Sequence, residues 1–379
     1  LMFLGNAEFS IGRYKDAKQH YIKSLLLKGL DAKMRQNIKA SIASVDFALK
    51  AIENPVPFNP VSISDNINTY LNEYWPSITA DEKTIIFVRE LMTKNTDFVG
   101  NVKGQEDMYI SRKNDQNIWQ KAEPIGSQIN SDKNEGSQSL SADGRLLVFT
   151  SCRRADVLGQ CDLYSTELVN NEWETPMNMG RPVNSSAWET QPCLASDGMT
   201  LFFVSNRPGG MGGMDIWMSK LNDNGTWTEP QNLGDSVNTP YDEMAPFLHP
   251  DNNTLYFSSN GHTGLGKQDI FMSRRLATNT WGKPINLGYP INTFNDEYGL
   301  IVNPKGDLAL FASDRIGNKG RDIFCFSLDK NFRPIIVSYI SGKIYDSDTK
   351  NAIRADFELS DLETSEVVAK TSSQKGTGD

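Results

Sequence analysis

Four tryptophans, Trp119, Trp173, Trp227 and Trp281, stand 54 residues apart, and a wider set of residues keeps the same step. Gly126, Gly180, Gly234 and Gly288 follow it, as do Asn130, Asn184, Asn238 and Asn292, and Glu135, Glu189, Glu243 and Glu297. An earlier copy carries Asn68 and Glu73, with a step of 62 to the next because VRELMTKNTDFVGNVKGQ inserts a loop-like stretch before Asp107. Self-similarity at a fixed period marks a repeat architecture, in which each unit buries its faces only against its neighbours.

Within a copy the order is constant: an Asn-containing turn, a Glu, a short strand, a turn, and an apolar strand. The apolar strands are TIIFV, LLVFT, TLFFV, TLYFS and LALFA; a loop follows, then an aromatic strand opening at Asp107, Asp162, Asp215, Asp269 or Asp322. Aromatic and β-branched residues fill the strands, and Asp-Gly, Asn-Gly and Gly-Gly fall where the chain turns. Four short strands per copy make a propeller blade, and five copies make a mainly β, five-bladed propeller over 57–332. The fifth copy has no Trp after DIFCFSLDKNF, so PFNPVSIS at 57–64 is expected to supply its outermost strand and close the ring.

The flanks read differently. Residues 1–53 space Ala7, Tyr14, Ala17, Tyr21 and Leu25, then Ile38, Ile42, Val45, Leu49 and Ile52, at helical intervals. AEFSIGRYKDAKQHYIKSLL matches the small-residue and aromatic positions of a tetratricopeptide helix pair, and further helices are expected upstream because one such repeat is marginal alone. Pro55, Pro57 and Pro60 mark 54–60 as a linker. Residues 338–379 alternate apolar and polar side chains, the start of a small β-sandwich.

Composition narrows the function. The net charge is −9 and no Lys/Arg cluster is long enough to track a phosphate backbone, so nucleic acid is not an expected partner. No apolar run reaches the ~20 residues of a membrane helix. Four cysteines and three histidines lack metal-ligand spacing, so no metal or cofactor is expected. Cys152 and Cys161 bracket SCRRADVLGQC, where one hairpin brings both sulfurs together, and a disulfide is expected there.

The cores SADGRLLVFTSCR, ASDGMTLFFVSNRPGGMGGMDIWMS and HPDNNTLYFSSNG resemble the TolB-type, WD-repeat-like propeller motif, and ISGKIYDSDTKNAIRADFELSDLET resembles a carboxypeptidase regulatory-like domain. In this order, helical repeat, propeller and regulatory-like domain resemble the PorE-like group of OmpA-family envelope proteins, associated with the type IX secretion system. The resemblance implies a periplasmic, outer-membrane-associated protein whose partners are type IX secretion subunits. It also implies a peptidoglycan-binding OmpA-like domain that does not occur in this sequence.

The recurrent acids invite an enzymatic reading, since carboxylates in a propeller channel can serve as acid and base. A catalytic pair breaks symmetry, however, whereas these Glu and Asp residues recur once per blade. The frame is therefore their expected role, each Asp capping the turn before its strand, with the four tryptophans as inter-blade wedges. The histidines have no nucleophile partner, and RPGGMGGMD joins two strands instead of opening a helix, unlike a phosphate cradle. What differs between blades is the loop after the apolar strand. Arg153, Arg154, Met211, His262, Arg315 and Lys319 on those loops are the candidate docking residues. The sequence thus reads as a non-enzymatic scaffold that docks envelope proteins, the alternatives being a propeller glycosidase or lyase and a sensor of a small ligand or peptide.

Overall fold

A computed structural model describes the chain except for residues 97–101, 316–319, 341, 361–364, 366 and 374–379. It is a five-bladed β-propeller preceded by three helices. Blade 1 pairs Asn72–Ile78, Thr84–Thr96, Val102–Arg112 and Glu123–Pro124 in chain order from the inside outward. Blade 2 follows with Glu135–Leu140, Leu146–Cys152, Cys161–Val169 and Met177–Asn178, blade 3 with Glu189–Leu194, Thr200–Ser205, Asp215–Lys220 and Gln231–Asn232. Blade 4 is built of Glu243–Leu248, Thr254–Ser259, Asp269–Arg274 and Ile285–Asn286. Blade 5 takes Ile301–Val302, Leu308–Ser313 and Asp322–Ser327 from the end of the ring and Val61–Ser62 from its start. Val61 pairs with Cys325 and Ser62 with Phe324, so the two ends of the ring share one sheet.

The two-residue period of the strands explains why the blades stack. In Thr200–Ser205, Leu201 and Phe203 face blade 2 with Val148 and Leu163, whereas Phe202 and Val204 face blade 4 with Leu255 and Phe257. Five apolar clusters result, one at each junction between neighbouring blades. The periodic tryptophans sit in four of them: Trp119 between blades 5 and 1, Trp173 between 1 and 2, Trp227 between 2 and 3, Trp281 between 3 and 4. At the remaining junction, between blades 4 and 5, Phe332 is buried and Phe58 packs on Phe326 and Phe311 with ring centroids 4.9 and 5.7 Å apart. The N-terminal segment thus contributes both a strand and an aromatic plug.

Helices α1 (Met2–Phe9), α2 (Tyr14–Leu25) and α3 (Ala32–Glu53) pack on one another through Tyr21, Ile38 and Val45. Gly5 lets α1 approach closely, since a Cβ there would lie 2.7 Å from the Tyr21 ring. The helices rest on blade 4: the Tyr14 hydroxyl donates to the Leu265 carbonyl at 2.7 Å, and Leu265 is buried in the helix cluster. Leu265 lies in the loop joining the second and third strands, so the helices cover one rim of the disc. After Phe332 the chain crosses the opposite rim, where Ile335 N–H donates to Asp251 and Val337 N–H to the Pro304 carbonyl. It then forms a hairpin of Asp356–Ser360 with Val367–Ser372.

Candidate functional site

The repeated polar residues come first, because their partners decide whether they are free for chemistry. Asn68, Asn130, Asn184, Asn238 and Asn292 each accept a main-chain N–H and donate to the carbonyl of one residue in the third strand of the preceding blade. Those residues are Ile323, Met108, Leu163, Ile216 and Ile270, at 2.8–3.0 Å. The side-chain amide imitates a peptide group and extends the outer edge of one blade to the next.

Glu73, Glu135, Glu189, Glu243 and Glu297 are equally committed. Each accepts the N–H and hydroxyl of the Thr or Ser four residues earlier; Glu189, for example, accepts both from Ser185 at 2.8 and 2.6 Å. Glu135, Glu189 and Glu243 also accept from Ser151, Ser205 and Ser259 of the neighbouring strand. A cation completes four of the sites: Arg89, Arg154, Arg207 and Arg315 lie 2.7, 3.2, 3.0 and 3.4 Å from their Glu. A buried charge held by so many donors is part of a frame.

That frame also takes in three of the docking candidates. Arg154 donates to the Ile129 carbonyl and Arg315 to the Ile291 carbonyl, while His262 Nε2 lies 2.8 Å from the Val237 carbonyl between the Phe257 and Phe271 rings. All three carbonyls precede the stapling Asn, so these side chains belong to the repeat and are turned inward. Arg153 and Met211 are exposed, and Lys319 lies outside the described residues. The loop holding His262 is further occupied by the helices through Leu265.

Asp162, Asp215 and Asp269 accept main-chain N–H groups of the loop before their strands, from Leu158 and Gly159, Met211, and Leu265. Asp107 accepts instead from the Gln105 amide at 3.0 Å, and Asp322 opens the third strand of blade 5 opposite Ser313. Cys152 and Cys161, paired across the second and third strands of blade 2, are disulfide-bonded.

The centre of the disc holds two spaces. The inner strands of blades 1 to 4 carry a bulge residue with positive φ, namely Trp75, Ser137, Gln191 and Ala245, and Gly299, also at positive φ, precedes the inner strand of blade 5; these residues line a narrow cavity of about 100 Å³. Asp, Glu, His, Lys and Arg are absent from its described lining; Cys193 is present, its thiol pushed up to about 12 by burial. Toward the rim that carries the helices lies a funnel of about 800 Å³, which shares Trp75 with the cavity. The funnel is asymmetric. Blades 5 and 1 supply Tyr298, Tyr74, Trp75, Glu106 and Arg321, and blade 4 with its neighbouring turns supplies Tyr241, Asn260, Lys267, Gln268 and Asp296.

Funnel contacts are specific. Tyr74 donates to Glu106 at 2.5 Å, and burial, with Glu90 as a lesser cause, holds Glu106 above the ordinary carboxyl range. Arg321 donates to the Tyr298 hydroxyl at 2.6 Å and spreads over the Tyr74 and Tyr298 rings, while Trp75 and Tyr298 face each other at 5.5 Å. Sequence reasoning missed these residues. The signal lay at fixed repeat positions whose occupants change: the residue after each Glu is Tyr74, Gly136, Thr190, Met244 or Tyr298, and the residue before each Asp is Glu106, Cys161, Met214, Gln268 or Arg321.

No family model matches the chain, and no curated protein matches it. Among solved structures it is similar to the putative TolB from Agrobacterium tumefaciens, 15% identical with a TM-score of 0.42 over 84% of this chain and 89% of that one. It is also similar to an N-acetylgalactosamine deacetylase from F. plautii in complex with blood group B trisaccharide, 12% identical with a TM-score of 0.45 over 71% and 93% of the two chains. A third is an alpha-L-arabinofuranosidase from Lactobacillus brevis, 14% identical with a TM-score of 0.39 over 74% and 100%. Identities and scores this low assign neither activity nor ligand. Among the described residues no helix is long and apolar enough to cross a membrane, and no group of His, Cys, Asp and Glu is placed to hold a metal ion.

Proposed function

We propose that this chain is a non-enzymatic scaffold that docks other proteins of the bacterial envelope. The observation that carries the reading is the employment of the acids: the five repeated glutamates are bound to their own frame, and no carboxylate lines the described narrow channel. Separate surfaces remain for partners. Helices α1 and α2, with Leu26 just past the end of α2, present Phe3, Leu4, Ile22 and Leu26 to solvent on one rim, and the C-terminal segment presents Ile336 and Ile340 on the other. Several contacts of moderate strength on one chain reinforce each other through effective concentration.

In keeping with the sequence resemblance, the partners are subunits of type IX secretion machinery, the location is the periplasmic side of the outer membrane, and an OmpA-like domain of the whole protein tethers the assembly to peptidoglycan. The helices act as the end of a tetratricopeptide array and the C-terminal hairpin as part of a regulatory-like β domain. Affinity purification of the full-length protein from gently solubilised envelopes tests this. Co-purification of secretion subunits is the expected result, and recovery of the protein without them contradicts it. A second reading, a propeller glycosidase or lyase, draws on one observation: Glu106, which burial holds above the ordinary carboxyl range, lines the funnel together with Asp296.

A further inference from the structure

The funnel is a built site that the frame does not explain. Its walls come from residues at which the blades differ, and the groups left for a ligand have a definite chemistry. Its charges are satisfied internally: Lys267 pairs with Asp296 at 3.3 Å, Arg321 is spread over two tyrosine rings, and Glu106 receives the Tyr74 hydroxyl. What remains is the aromatic surface of Trp75 and Tyr241, the latter 53% exposed, and an amide. Gln268 is 8% exposed, and among the described residues its Oε1 has no hydrogen-bond partner. The residue is part of the funnel's lining, which sets its amide where a ligand's donor is needed. The ligand that complements such a surface is uncharged, has a flat C–H face for the rings, and carries hydroxyl donors for the amide.

We propose that the funnel binds a neutral saccharide, stacked on Trp75 and Tyr241 and hydrogen-bonded to Gln268. The volume of about 800 Å³ lies within the range of small-ligand sites, roughly 300–1,000 Å³, and admits a short oligosaccharide. A charged ligand competes there with partners already in place, the Lys267–Asp296 pair and the Arg321 contacts. The inference goes beyond the scaffold reading and does not depend on it, since capture of envelope proteins and binding of a sugar are separate readouts.

The test is isothermal titration calorimetry of the full chain with neutral hexasaccharides of gluco, manno, galacto and xylo configuration, with hexagalacturonate and an unstructured peptide as comparators. The expected result is saturable binding of at least one neutral hexasaccharide and weaker or absent binding of both comparators. Trp75→Ala is expected to weaken that binding about tenfold or more, Gln268→Ala about fivefold, and Arg153→Glu on the rim not at all. Should Trp75→Ala fail to fold, Tyr241→Ala, which removes an exposed ring, is expected to weaken binding about threefold. Binding of none of the neutral sugars at millimolar concentration overturns the inference. So does binding only of the comparators, or sugar binding that folded Gln268→Ala and Tyr241→Ala leave unchanged.

Discussion

Replacing Asn184 by Ala removes one inter-blade staple and leaves its partners behind. Asn184 is 1% exposed; it accepts Leu163 N–H at 2.9 Å, donates to the Leu163 carbonyl at 2.9 Å and donates to Asn178 at 2.8 Å. Alanine strands a buried N–H and a buried carbonyl in the core between blades 2 and 3, each at a cost of about 1–3 kcal/mol, so the expected loss is about 2–5 kcal/mol. Asn130 makes the same two main-chain bonds to Met108 but is partly exposed, and water reaches what Asn130→Ala leaves behind. That variant is expected to lose only about 1–2 kcal/mol. Urea unfolding followed by circular dichroism and tryptophan fluorescence reads both losses. Equal losses at the two positions, or less than about 0.5 kcal/mol for Asn184→Ala, would refute the assignment of the repeated Asn to a backbone-mimicking staple.

Three further outcomes follow from the same structure. Arg207→Ala leaves Glu189 buried without its cation and is expected to cost about 3–5 kcal/mol, whereas Arg153→Glu on the exposed rim is expected to stay within about 0.5 kcal/mol; urea midpoints distinguish them. Asp269 is pushed up to about 7 by burial, so between an unfolded value near 4 and that point the folded chain binds more protons than the unfolded one, and this group's contribution to stability falls as pH rises. Asp269→Asn removes that term; its melting temperature minus that of the parent should grow from pH 4.5 to 7.5, and a pH-independent difference refutes the assignment. Deleting residues 57–64 removes the closing strand and Phe58, at a cost of about 2 kcal/mol or more from the lost aromatic burial alone, and an unchanged melting temperature would contradict ring closure by this segment.

The blades were legible because the repeat preserves chemistry at fixed spacing: each Trp, Asn and Glu performs the same packing or bonding task in successive copies. Closure was legible for the complementary reason, a missing Trp in the fifth copy and an orphan strand pattern at 57–64. The inward side chains were not legible as parts of the frame because they drift: Arg89, Arg154, Arg207, His262 and Arg315 follow their glutamates by 16, 19, 18, 19 and 18 residues. Loops of slightly different length deliver the same guanidinium or imidazole to the same carbonyl, and a flexible side chain absorbs the difference. A fixed-period comparison therefore scores them as variable, and three of them stand among the docking candidates for that reason. The funnel escaped for another reason. Its members are adjacent only once the ring closes and sets blade 1 beside blade 5, so Trp75 and Tyr298 meet at 5.5 Å across 223 residues of sequence.

The claim that this chain binds and does not catalyse meets its most direct test at the two carboxylates that line the funnel. The full chain should be incubated with envelope and plant polysaccharides, alongside Glu106→Gln and Asp296→Asn, and the release of reducing ends and of unsaturated sugars followed. The account predicts no turnover by any of the three proteins. Turnover by the parent chain that disappears in Glu106→Gln would contradict it and make the funnel an active site.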